Sequence, residues 1–520
     1  MNTNQHDHLH RLIHSMDRAE KRYFKVYTSR HLLVGHSNYH VLFDAIDAQE
    51  QYDEGAILKQ FRKETFTNRF AITKRRLYET VLRCLDAYYA ESSVDARARR
   101  ALHHVEILYK RALYPEAEKM LNSVRRMAEQ HGRNAILVAV REWECRFMEG
   151  ANYTGTASAA LVEWEQEGGT LRGAMAQADA LWLLKSSAFR QIYKKGQARD
   201  DQELDALRHV LDEPLLREPE GLMSPRSNYL YHHIKSAVAF AMNEPAESRE
   251  HLLANKAIIE ANYDHFDQEP SLLLGVLSNL AFVTARLGLP EEAFALLKEF
   301  RQAPAKRAMP ENEDLDLKLF ATSYSLELGL HCRIGDFRKA VDLLPNIERG
   351  LERHGSTIGP VRKAGFYFQM AYAAFGVGDT ETALRLTNKL LNDISIDQTE
   401  EPICYGRLLH LILLYETGRT DLLPYALRNT SRFLQTRKRA HRTEQLLIGL
   451  VQSVSRSISP KRMGEQFQRF HDQLVAQEEN TLERVLYDHL DPIAWAASKI
   501  TGRSFAEIVK ERSSRQRKAA

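Results

Sequence analysis

The chain has 520 residues, 44% hydrophobic and 27% charged, with a formal net charge of +3. This length allows several ordinary domains or one extended repeat array. The near-balanced charge excludes a global field that would draw the chain onto nucleic acid or anionic lipid. Gly and Pro are sparse, and abundant Ala, Leu, Glu, Lys and Arg predict an all-α protein. Cys84, Cys145, Cys332 and Cys404 lie far apart with no C-x-x-C; this argues against a disulfide framework or cysteine zinc site and fits a reducing compartment. The N-terminal stretch has no apolar h-region, and no run reaches the ~18 apolar residues of a membrane span. The expected location is cytoplasmic.

Residues 1–92 are expected to form a small helical N-terminal domain. Leu9, Leu12, Ile13 and Met16, then Tyr23, Phe24 and Tyr27, recur with helical spacing. Further helices are predicted near 39–49, 53–62 and 70–90, with Asp53 capping the middle one. His6, His10 and His14 stand at i, i+4 and i+8 and would share a helix face, but no carboxylate or thiol set accompanies them. No metal site and no cofactor is assigned. Residues 56–83 hold eight Lys/Arg against two Asp/Glu. A short helix, a turn and a longer basic helix is the arrangement of a helix-turn-helix reader, which would place Lys74, Arg75 and Arg76 on nucleic acid. The whole block holds 14 Lys/Arg against 12 Asp/Glu, a weak excess for neutralising several phosphates; a solvated face or an acidic protein partner is the competing reading.

From 93 to 455 a turn signature recurs. Gly288, Gly335 and Gly378 each precede an alanine by five residues, namely Ala293, Ala340 and Ala383. Weaker turn points are Ala112 (before Ala117), Gly155 (before Ala160), Gly196, Asn243 and Gly418. The steps between them run from 40 to 47 residues, the spacing of helix-pair repeats. Gly suits the left-handed position that ends a helix, Asp336 and Asp379 suit the next N-cap, and Pro290 suits a first helical position. Pro-rich stretches at 213–228 and 302–314 are expected to be flexible joints. Residues 425–442 carry six basic and no acidic side chains; on one helix, Arg428, Arg432, Arg439 and Arg442 would form a stripe able to bind phosphates, carboxylates or neighbouring glutamates. Residues 456–520 are expected to be a helical cap: Asp491-Pro492 starts a helix, Thr501-Gly502 stops it, and Ser504-x-x-Glu507 is a capping box. The last residues, ERSSRQRKAA, are expected to fray.

The Gly-to-Ala step, with Ala281, Leu328 and Ala371 seven residues before each glycine, resembles tetratricopeptide repeats. The usual early tryptophan is missing, and each unit is about ten residues longer than that family's helix pair. The chain ends, AEKRYFKVY and IAWAASKITGRSFAEIV, are similar to those of large bacterial helical proteins, from which no activity carries over. The resemblance implies a superhelix of about eight antiparallel hairpins whose concave face, lined by first helices, holds a partner segment. Carried over by position, its lining is Ser278, Phe282 and Arg286, then Ser325 and Arg333, then Phe368, Tyr372 and Phe375, with Arg190, Tyr193 and His233 in a looser register. The Lys and Asn of the family's carboxylate clamp are absent there. Alternatively the aromatic residues simply fill space between helices. No H-E-x-x-H, G-x-S-x-G, P-loop or G-x-G-x-x-G is present. The expected function is therefore a non-enzymatic scaffold or adaptor binding a protein or peptide, with a nucleic-acid-linked regulator second and a metal-dependent enzyme third.

Overall fold

A computed structural model describes residues 7–31, 36–217, 221–309, 311–355, 357–393, 401–437, 439–456, 459–478, 480 and 482–519. Among the described residues every regular element is a helix. Two compact units divide the chain, Met1–Gly168 and Gly169–Ala520. None of these helices is long and apolar enough to cross a membrane.

The first unit contains two cores. One gathers Leu9, Ile13, Phe24, Phe43, Leu77 and Val81. Its helices include His36–Asp47, Glu54–Gln60 and Phe70–Tyr88, and Asp53 caps Glu54–Gln60 by accepting from the Ala56 amide at 2.9 Å. His10 hydrogen-bonds the Gln49 carbonyl at 2.8 Å and His14 faces that of Ile46 at 3.4 Å. Their rings thus tie one helix to the end of another, and His6 lies outside the described residues. The second core gathers Ala98, Val105, Ala117, Leu121 and Val140 from hairpin Val94–Lys110/Tyr114–Gln130 and the helix after it.

The second unit is a run of antiparallel hairpins. Pro225–Ala241 pairs with Pro245–Ala261, Ser271–Arg286 with Pro290–Lys306, and Pro360–Val377 with Thr380–Asn392. First helices also touch one another in succession: Ser271–Arg286, Glu313–Arg333, Pro360–Val377, Glu401–Glu416 and Arg442–Val454. That side-by-side contact makes the run a stacked helical-repeat architecture.

One backbone device makes the turns. Ala112, Asn243, Gly288, Gly335, Gly378 and Gly418 all have positive φ. In each case the amide of the next residue donates to the carbonyl five residues earlier, as in Leu289 to Thr284, Asp336 to His331 and Asp379 to Ala374. This six-to-one bond closes the orphan carbonyls of the helix end. Ala117, Ala293, Ala340 and Ala383 are fully buried in the following helices, where a small side chain lets the pair approach closely. Ala160 is exposed; the turn before it is built differently, with positive φ at Asn152, Tyr153 and Gly155.

Several local expectations change. Asp379 caps through the Thr382 amide at 3.0 Å, but Asp336 makes no capping bond and instead pairs with Lys339 at 3.1 Å. Residues 302–306 are not a loop: Pro304 sits inside helix Pro290–Lys306. The basic stretch 425–442 is not one helix either. Leu423–Thr436 ends before Arg439, which pairs with Glu401 at 3.1 Å, and Arg442 starts the next helix. The tail is helical through Phe505–Ala519. Arg512 and Arg517 anchor it on Glu478, Asp491 and Glu291, and its capping box is made as expected.

Gly335 carries a double demand. Its φ is +76°, and a Cβ there would lie 2.7 Å from the Lys510 backbone nitrogen. Gly335→Ala should therefore combine backbone strain with a clash against the C-terminal helix and cost about 1–3 kcal/mol. Ala340→Leu should cost a similar amount by overpacking its hairpin, about 1–3 kcal/mol. In thermal melts both variants should fall below the parent, and only Gly335→Ala should speed proteolysis after residue 500.

Candidate functional site

Part of the lining expected to receive a partner, from Arg286 to Phe375, is covered by the chain itself. Residues 482–491 run along the first helices of the second unit, with Val485, Leu486 and Leu490 buried. Asp488 sits between two repeats: Arg286 reaches one carboxylate oxygen at 2.9 Å and Arg333 the other at 2.8 Å. Burial alone would raise the Asp488 carboxyl, but Arg333 and Arg286 outweigh it and hold it below the usual carboxylate range. The next ring, His489, stacks on Tyr405 at 4.4 Å and stands edge-on to Phe368. Burial keeps this imidazole below its ordinary value despite the pull of Asp488. The Asp491 amide then donates to the Tyr372 hydroxyl at 3.2 Å, and its carboxylate both caps helix Pro492–Thr501 and accepts from Arg512. Phe505 packs on Phe375, Tyr372 and Phe337.

A second buried pair lies nearby. Arg199, in the turn after helix Ser158–Lys195, reaches Glu444 at 2.9 Å, both side chains about 5% exposed or less. Glu483 faces the same guanidinium and accepts from the Thr443 amide and hydroxyl. Burial pushes the Glu444 carboxyl up, with Arg199 opposing. Because 245 residues separate the two, this pair ties the first and late hairpins of the unit together.

The positions carried over from sequence therefore divide. Arg286 and Arg333 converge on Asp488, while Phe368, Tyr372 and Phe375 are buried beneath the C-terminal residues. Ser278 donates to the Gly275 carbonyl, Ser325 to Gln369, and Phe282 stands edge-on to Phe240. His233 is stacked on Tyr229 and lies against Phe189. Arg190 and Tyr193 remain exposed, Tyr193 at 83%. The residues that complete the arrangement, Arg199, Glu444, Asp488 and His489, carry no motif; only Asp488 and His489, between Leu486 and Leu490, interrupt an apolar run.

Between these groups lies a cavity of about 130 Å³ lined by Arg286, Arg333, Gln369, Tyr372, Asp488 and Arg512. The Cys332 thiol also lines it, and burial raises that thiol far above its ordinary value, which disfavours a nucleophilic thiolate. No cluster of three His, Cys, Asp or Glu able to hold a metal occurs among the described residues. In the first unit, Lys74 does not face solvent with Arg75 and Arg76. Its ammonium is held by Asp7 at 2.6 Å and Glu54 at 3.0 Å, over the Tyr52 ring. Arg75 is exposed and paired with Glu79, and Arg76 is exposed. A carboxylate cage already satisfies the lysine that a phosphate would need.

Comparison with protein-family models, curated proteins and solved structures finds no match to this chain.

Two outcomes test this geometry. Asp488→Ala should strand two guanidinium groups and destabilise the chain by about 3–5 kcal/mol, the usual cost of halving a buried ion pair; a denaturant midpoint equal to the parent's would refute the arrangement. His233 is driven down to about 4, chiefly by burial, with Lys185 and Arg226 adding. Its folded value lies below its unfolded value of about 6.5, so the unfolded state takes up the proton first. Stability should fall as pH drops from about 6.5 toward 4, and His233→Phe should reduce that slope in melts between pH 6.5 and 5, leaving the share of His232 and His441, which burial also lowers to about 4.

Proposed function

We propose that the chain is an interaction scaffold, a tetratricopeptide-like array whose partner surface is the uncovered end of its first-helix lining, around Arg190 and Tyr193. One observation carries this reading: the lining from Arg286 to Phe375 is filled by the chain's own residues 482–491 and its C-terminal helix. Displacing that segment is costly. Val485, Leu486, Leu490, Ile493 and Trp495 are all buried, worth roughly 8–15 kcal/mol at 1.5–3 per side chain. A micromolar partner supplies only about 8 kcal/mol, and the tethered segment also competes at a high effective concentration. A partner therefore binds where the chain has left first-helix side chains open.

A photo-crosslinking amino acid at position 193 should trap a discrete partner in cells, and the same probe at position 368 should trap none. Crosslinks at 368 but not at 193 would return the site to the inner lining and defeat the proposal.

A further inference from the structure

The exposed face of helix Ser158–Lys195 within the second unit has the character of a helix-docking seam. Met175, Asp179, Trp182, Ser186, Phe189 and Tyr193 follow one another in steps of four and three, the spacing by which paired helices meet. At 100° per residue, Met175, Trp182, Phe189 and Tyr193 fall within an arc of about 40°. Burial does not explain them: Met175 is 37% exposed, Trp182 49% and Tyr193 83%. An adjoining face of the same helix, about 100° round from the seam, supplies the core through Ala174, Leu181 and Ala188. Phe189 is half-buried against His233 and lies 5.7 Å from Tyr193, so the seam is anchored on the repeat beneath it. Exposed Trp, Tyr and Arg on one rigid surface are the residues that dominate protein interfaces.

The flank indicates what the partner carries. Arg172, Arg190 and Lys194 are exposed on the side toward which Asp179 also leans, three basic groups against one acidic. Among the described residues none of the three basic side chains lies within ion-pair distance of a carboxylate. Elsewhere in the second unit exposed arginines do pair, as Arg226 with Glu269 and Arg353 with Asp316.

We propose that this face docks an amphipathic helix of another protein, with an apolar seam against Met175, Trp182 and Tyr193 and an acidic edge against Arg172, Arg190 and Lys194. The polar seam members Asp179 and Ser186 set its register, as single polar residues do in paired helices. The proposal rests on the scaffold reading and gives that site its partner chemistry.

The test is selection of a displayed library of helical peptides, about eighteen residues long to match the ~27 Å stripe at 1.5 Å per residue, against the full chain. Enriched peptides should be acidic with apolar residues at three–four spacing. Trp182→Ala or Tyr193→Ala should weaken them at least tenfold with no change in melting temperature, and Arg190→Glu should shift selection toward basic sequences. The proposal is overturned by enrichment of basic or extended peptides, by no enrichment, or by affinities unchanged in both alanine variants. A chain dimer that Trp182→Ala dissolves in sedimentation also overturns it, because the occupant is then a second copy. Failure here with crosslinking retained at position 193 removes the acidic helix and leaves the scaffold; loss of both removes the scaffold.

Discussion

The carboxylate of Asp488, held between Arg286 and Arg333, is the constraint on which the second unit depends. Each arginine ends a first helix, and the two helices belong to successive repeats. One buried anion therefore joins two hairpins to a segment that follows them by more than 150 residues. Three ions taken out of water gain little net stability, since desolvation offsets most of their attraction. What the triad does in the structure is hold the returning segment against both hairpins. With Asp488 in place, His489 meets Tyr405, the Asp491 amide meets Tyr372, and Leu486 and Leu490 enter the core.

That placement decides how much of the first-helix lining is covered. A stack of helical hairpins leaves a lining of first-helix side chains that must be buried or used. Here most of it is buried, by the chain itself, and one core runs from Ala321 to Val509 through hairpins and C-terminal helices together. The C-terminal residues are thus part of the fold rather than an appendage. The Arg199–Glu444 pair acts in the same sense by tying early to late hairpins. Of the carried-over positions, Arg190 and Tyr193 on helix Ser158–Lys195 remain exposed.

The first unit shows the same economy with charge. Its basic run looks like a reader when counted along the chain. In space Asp7, Tyr52 and Glu54 enclose Lys74, and Arg75 pairs four residues on.

The hairpins were legible in the sequence because their cause is local. A residue of positive φ, a six-to-one hydrogen bond and an alanine five residues later act within a single turn, so Gly288, Gly335 and Gly378 announce themselves. Ala112 and Asn243 make the same turn without glycine and were weaker signals for that reason. The capping box at Ser504 and the cap at Asp53 were readable on the same ground. The lining could be carried over by position, but whether it stood open could not. Arg286, Arg333 and Phe368 present the same residues to a foreign peptide as to Asp488 and His489, and periodicity does not distinguish the two. Tertiary structure decided that, because ion pairs across 155 and 245 residues leave no periodic trace: they depend on where the chain returns, which is set by the accumulated geometry of every hairpin between.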